Sequence, residues 1–178
     1  MKTCILIVGE SSSGKDSLAN MLKHDGYKIL KSYTTRPPRK NEVDTHIFIK
    51  PEEVEKYKKD IIAFTKIGDY SYFATKTQLL DSDIYIIDPN GVKYLKEKCN
   101  GIRFITIFIN VSEKERFNRA LNIRKDNIDD IKKRFKAEKK QFDEFKLNAD
   151  FDYSICNYDL TKSYKILKYI IEMESSNE

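Results

Sequence analysis

The apolar run Thr3-Cys4-Ile5-Leu6-Ile7-Val8 passes without a spacer into Gly9-Glu-Ser-Ser-Ser-Gly14-Lys15, and this junction restricts the fold more than any other stretch. A continuous β-branched run reads as a strand covered on both faces, and such strands belong to parallel sheets flanked by helices. The G-x-x-x-x-G-K spacing lets successive backbone N–H groups curl around phosphate oxygens, while Lys15 adds a mobile positive charge. A helical pattern over 14–24 then directs its N-terminal dipole at the same anion. Strand, loop and helix in this order make Gly9, Ser11, Ser12, Ser13, Gly14 and Lys15, with Asp16 and Ser17 just beyond, a candidate phosphate site. Asp16 stands where a Ser or Thr hydroxyl usually meets Mg²⁺. Three readings remain open: Asp16 holds the metal through water, Ser17 takes the hydroxyl role, or Asp16 only favours the helix N-terminus.

Further apolar runs at 84–87, 104–109 and, more weakly, 151–156 alternate with helical patterns at 90–98, 112–123, 126–145 and 160–173. The second of these helices opens on a Ser112…Glu115 capping box. Strands alternating with helices predict a doubly wound α/β sheet. Residues 33–80 break the rhythm with Pro37-Pro38, short alternating stretches at 46–49, 61–65 and 70–73, and a Glu/Lys-rich helix at 51–59, which together read as a lobe inserted beside the sheet. A chain of 178 residues fits one domain. With 40% apolar and 34% charged residues and no apolar run near the roughly 18 residues a bilayer span needs, neither a disordered nor a membrane-spanning class is expected. Cys4, Cys99 and Cys156 lack metal-ligand spacing and predict reduced thiols in a cytoplasmic protein. The net charge of +5 suits an anionic ligand, but the lysines are scattered and no nucleic-acid partner is expected.

Downstream of the loop, Ser32-Tyr33-Thr34-Thr35-Arg36-Pro37-Pro38-Arg39-Lys40-Asn41-Glu42 is similar to the guanylate kinase signature S-x-T-T-R-x-P-R-x-G-E. Tyr72-Phe73-Ala74-Thr75 resembles the family's Y-Y-G-T, Asp88-Pro-Asn-Gly91 its D-x-Q-G, and Cys156-Asn157-Tyr158-Asp159-Leu160 a segment near its end. This resemblance runs through almost the whole chain. It implies a P-loop kinase fold: a parallel sheet flanked by helices with core segments 1–32, 81–114 and 136–178, an inserted NMP-binding lobe at 33–80, and a helical lid at 115–135. It also implies transfer of the γ-phosphoryl of ATP, with Mg²⁺, to a nucleoside monophosphate, GMP or dGMP being the first expectation, in a monomer or homodimer.

Two guanidiniums in a proline-stiffened segment, Arg36 and Arg39, can grip a dianionic phosphate whatever the family. By resemblance Ser32, Arg36, Arg39 and an aromatic hydroxyl hold the acceptor phosphate; His46 and Phe73 align with the family's two tyrosines, leaving Tyr72 and Tyr70 as substitutes. The family's base-reading Glu falls near Ile62-Ala63-Phe64-Thr65, where no carboxylate stands. Phe64 cannot accept from guanine N1–H and the exocyclic amine, and Thr65 can make only one such bond. Thr75 matches the hydroxyl that touches the base, and Asp88, at a strand end, is placed to receive an amine or orient metal-bound water. On helix 126–145 the stripe Ile128, Ile131, Phe135, Phe142 and Phe145 faces the body, so Arg134 leans inward from its edge. By resemblance Arg124 and Arg134 bridge the donor and acceptor phosphates, with Arg116 and Arg119 as lesser candidates, and Asn157 lies close to adenine. Rival readings are a kinase for another (deoxy)nucleoside monophosphate or a sugar phosphate, and a non-catalytic binding module; the intact Gly9, Gly14 and Lys15 speak against the last.

Overall fold

The computed structural model describes residues 2–38 and 46–176. Its main sheet is built from β1 (Lys2–Val8), β2 (Ile29–Leu30), β7 (Ile84–Ile86), β8 (Ile102–Asn110) and β9 (Tyr153–Cys156), in the order β2-β7-β1-β8-β9. Every pairing is parallel, with Val8 beside Phe108 and Ile7 beside Ile86 in the centre. The strand-first reading of the apolar runs is thereby met, and the sheet gains one short edge strand, β2, that two apolar residues were too few to announce.

Strand alternation explains why both faces are covered. Cys4, Leu6 and Val8 point to one side, where they pack with Val92 and Leu95 of α3 (Pro89–Lys98) and Phe142 and Phe145 of α5 (Ile128–Leu147). Ile5 and Ile7 point to the other, against Leu18 and Leu22 of α1 (Lys15–His24) and Leu167, Ile170 and Ile171 of α6 (Leu160–Ser175). Phe108 anchors the first layer, its ring centroid 5.4 Å from Phe151 and 5.7 Å from Phe145. Cys4 is fully enclosed there, and burial pushes its thiol up to about 12, so it behaves as a small hydrophobe.

The inserted lobe forms a second sheet of β3 (Tyr33–Thr34), β4 (Ile47–Phe48), β5 (Ile61–Ile67) and β6 (Tyr70–Thr75), ordered β4-β3-β6-β5. It is mixed: β3 pairs β4 in parallel and β6 in antiparallel fashion, and β5 and β6 make a hairpin. A short helix, α2 (Lys76–Leu80), leads back to the core. The expected helix over 51–59 is a 3₁₀ helix at Pro51–Tyr57 with no buried residue, since its Glu/Lys composition offers no apolar stripe to hold a longer α-helix. The pattern over 112–123 also divides. Ser112 caps α4 (Glu113–Asn118) by accepting from Glu115 N–H at 3.3 Å, and a π-helical turn continues over Arg119–Ile123. Lys125, with φ of 59°, ends that turn ahead of α5.

Candidate active site

The loop between β1 and α1 is shaped by its glycines. A Cβ on Gly9 would stand 2.5 Å from Ser13 Oγ, and Gly14 adopts φ of 89° with its missing Cβ only 2.4 Å from Asn157 Nδ2. Ser12 is also left-handed at φ of 64°. Ser13 N–H donates to Glu10 O at 3.1 Å, closing the turn that turns the following N–H groups toward the N-terminus of α1. Lys15 Nζ lies 3.4 Å from Asp16 Oδ2, and its charge, the largest influence, holds the Asp16 carboxyl below the usual carboxylate range. Asp16 and Ser17 both face solvent in the first turn of α1, and the Asp16 side chain is 77% exposed.

The loop is braced from behind by residues far away in sequence. Asn157, 2% exposed after β9, donates Nδ2 to Ser13 O at 2.8 Å. Arg119 reaches the same carbonyl at 3.3 Å and Asn157 O at 2.7 Å. Arg116 reaches Ser11 O at 3.3 Å, and Glu138 of α5 accepts from Ser11 N–H at 2.9 Å and from Ser11 Oγ at 2.8 Å. Ser11, expected at the nucleotide, thus spends both its donors on the protein. Sequence reasoning ranked Arg116 and Arg119 behind Arg124 and overlooked Glu10 and Glu138. No local pattern marks a contact spanning more than a hundred residues, and charged side chains on a helix ordinarily read as a solvated face.

On the acceptor side, Arg36 is 9% exposed. Its Nε donates to Tyr72 Oη at 3.0 Å, its Nη1 to Pro37 O at 2.7 Å, and its guanidinium lies 5.6 Å from the Phe48 ring centroid. Ser32 Oγ sits 3.3 Å from His46 Nδ1, and the His46 ring meets Tyr72 edge-on at 5.7 Å. Ser32, Arg36, His46 and Tyr72 therefore gather around one spot, and Tyr72 supplies the hydroxyl that Phe73, buried at 1% exposure, lacks. Arg39 lies outside the described residues. Tyr70 is 40% exposed at the far end of the hairpin.

The base-side residues carry structural duties that the sequence did not reveal. Thr75 caps α2: its hydroxyl accepts from Gln78 N–H at 3.3 Å and donates to Gln78 Oε1 at 3.3 Å. Asp88 caps α3, Oδ1 accepting from Gly91 N–H at 2.8 Å, and the nearby Thr65 hydroxyl favours the ionised form of the same carboxyl. Burial, the largest influence, raises the Asp88 pKa above the ordinary aspartate value despite these bonds. Thr65 shares the β5 and β6 register with Tyr72, whereas Phe64 pairs with Phe73 on the opposite face. Of the two residues near the missing carboxylate, Thr65 is the one beside Asp88.

Of the lid arginines, Arg124 approaches the loop and Arg134 is tied to Arg124 through Asp126. Arg124 Nη1 lies 3.4 Å from Ser12 Oγ, its Nη2 pairs with Asp126 at 3.2 Å, and Arg134 pairs with the same Asp126 oxygen at 2.7 Å. A single carboxylate thus holds together the two guanidiniums that the resemblance assigns to phosphate.

A glycine loop closing the central strand of a parallel sheet, with arginines converging on it from a helical lid and an arginine pocket on an inserted sheet, defines a P-loop nucleotide kinase. A family model described as guanylate kinase matches residues 1–174. The guanylate kinase of Clostridioides difficile strain 630 is 30% identical over 97% of this chain and 88% of its own, and that of Chlamydia caviae is 31% identical over 94% and 86%. A crystal structure of guanylate kinase from Anaplasma phagocytophilum superposes with a TM-score of 0.73 at 21% identity, over 97% of this chain and 86% of that one, a likeness of fold. The chain belongs to the guanylate kinase family. Among its described residues, no helix is long and apolar enough to cross a membrane.

Proposed function

We propose that this protein transfers the γ-phosphoryl group of ATP to a nucleoside monophosphate, GMP or dGMP, releasing ADP and the diphosphate. The observation that carries the reading is the approach of Arg124 to Ser12 at 3.4 Å, which sets a lid guanidinium over a loop otherwise shaped for phosphate. Family membership and relatives named guanylate kinase support the choice of acceptor.

The chemistry asks for position and positive charge more than for bond-making groups. The attacking atom is a phosphate oxygen already carrying charge, so no general base is needed. Loop N–H groups from Gly14 to Asp16 and the Lys15 ammonium hold the donor phosphates, Arg36 and Tyr72 with Ser32 and His46 hold the acceptor phosphate, and Arg124 and Arg134 bridge the two. Arg39 joins the clamp in this reading. Mg²⁺ bound at the donor site would supply positive charge to the donor phosphates. Asp16 or Ser17 would hold it, and the low carboxyl pKa that Lys15 imposes keeps Asp16 in the anionic form a cation requires. Asp88, with the Thr65 hydroxyl beside it, takes the place of the missing Glu as acceptor for the base. Free thiols at Cys4, Cys99 and Cys156 suit a reducing cytoplasm.

The test is ADP release from ATP and Mg²⁺ with each ribo- and deoxynucleoside monophosphate in turn. Activity confined to GMP and dGMP supports guanine reading through Asp88 and Thr65; a preference for another base overturns the acceptor assignment while keeping the kinase.

A further inference from the structure

Three charged residues, Glu10 at the start of the donor loop and Arg116 and Glu138 behind it, have no part in the transfer as described. Glu10 is 6% exposed and Arg116 3%, and the Glu138 side chain is 14% exposed. Burying charges is unfavourable unless each is matched. Here Arg116 Nη2 donates to Glu10 Oε1 at 2.9 Å and Nη1 to Glu138 Oε1 at 3.3 Å, while Nε donates to Val111 O at 3.3 Å. The face of the guanidinium lies 4.5 Å from the Phe135 ring centroid. Lys146 Nζ, 3.4 Å from Glu10, supplies a second cation, so two carboxylates are balanced by two positive charges.

The arrangement does more than neutralise itself, because one of its carboxylates faces the loop. Both oxygens of Glu138 accept from Ser11 N–H, at 2.9 and 3.1 Å, and Oε2 also accepts from Ser11 Oγ. The first half of the loop is therefore fixed from behind, and the second half, from Gly14 onward, is left to meet phosphate. Glu138 also lies four residues after Arg134 on α5, which puts the two on one helix face a single turn apart. Fastening Glu138 to Ser11 fixes how far Arg134 can stand from the donor phosphates.

We propose that Glu138, held in place by Arg116 and Glu10, is a positioning residue that sets the donor loop in its nucleotide-binding shape and fixes the Arg134-bearing helix against it. This rests on the donor-loop reading above. An ion-pair cluster serving stability alone would lower the melting temperature without favouring one substrate; a positioning group acts selectively on ATP.

The experiment measures ATP Kd by calorimetry, KM for both substrates, and Tm in the wild type, Glu138→Ala, Glu138→Gln and Arg116→Met. Glu138→Ala is expected to raise ATP Kd and KM about tenfold while the acceptor KM stays within about twofold. Glu138→Gln, whose amide oxygen still accepts from Ser11 N–H, is expected to recover most of that loss. Arg116→Met leaves the two carboxylates with Lys146 as the cation between them and weakens ATP further, and adding Glu10→Gln restores part of it. An unchanged ATP Kd in a folded Glu138→Ala protein, or parallel rises in both KM values, overturns the proposal. A wild type that fails to bind ATP overturns the donor-loop reading first, and this proposal with it.

Discussion

Replacing Gly14 with alanine joins the backbone and the buried brace in one perturbation. The residue sits at φ of 89°, where an L side chain costs about 1 kcal/mol. Its new methyl would stand 2.4 Å from Asn157 Nδ2, the end of a side chain only 2% exposed and hydrogen-bonded to Ser13 O at 2.8 Å. Relieving that overlap moves Asn157 and gives up the bond; Ser13 O keeps Arg119 Nη1 at 3.3 Å, but the buried Asn157 amide loses its partner, at a cost of about 1–2 kcal/mol. The two effects sum to roughly 2–3 kcal/mol, about a quarter of a typical domain's stability. Urea denaturation followed by circular dichroism should show the midpoint fall at an unchanged m-value, and ATP affinity should fall more than acceptor affinity. Because the clash involves one partner, Gly14→Ala combined with Asn157→Ala should lose less than the sum of the two single variants. Strict additivity, or a Gly14→Ala protein as stable as the wild type, refutes the claim that Asn157 and the left-handed glycine jointly shape the loop.

Other expectations follow from the same geometry. Arg36→Ala removes a charge-assisted grip worth about 1.5–3 kcal/mol, so the acceptor KM should rise about 10- to 100-fold with the ATP KM unchanged, as steady-state kinetics will read. Asp126→Asn releases Arg124 and Arg134 from a partly exposed pairing worth up to about 1 kcal/mol, and should lower the ATP KM about two- to threefold; a rise would show that Asp126 aligns the arginines rather than restraining them. Burial raises the Asp88 pKa, so the folded state binds more protons than the unfolded chain just above the ordinary aspartate range, and stability should fall as pH climbs through that window. Asp88→Asn, whose amide oxygen can still cap α3, should flatten that slope in pH-dependent melting.

What the sequence revealed and what it hid divide along the distance between partners. β1, the loop and α1 are contiguous, and an apolar run, two glycines and a lysine carry their meaning between Thr3 and Lys15, so the strand–loop–helix unit was legible at once. β1, β7 and β8 were equally plain, because strands buried on both faces are dominated by apolar residues, whereas β9, at the sheet edge with Ser154 and Cys156 exposed, gave the weaker run. The lobe was recognised as an interruption of the α/β rhythm, but its pairing was not, since Tyr33–Thr34 and Ile47–Phe48 are strands of two residues whose register is set by the neighbouring hairpin. Thr75 and Asp88 were singled out for the base, yet their capping bonds to Gln78 and Gly91 are local motifs that a search for helix starts at 75 and 88 would have found. Glu10, Arg116 and Glu138 could not be read locally, because each looks like a surface charge until the fold brings all three behind one loop.

The central claim is that this site moves a phosphoryl group between two nucleotides, and following the label from [γ-³²P]ATP tests it most directly. With GMP present, chromatography of the products should place the label in GDP, with none in inorganic phosphate beyond the buffer control, and Lys15→Ala should abolish the transfer. Label appearing only in inorganic phosphate, or GDP formed undiminished by Lys15→Ala, would contradict the account.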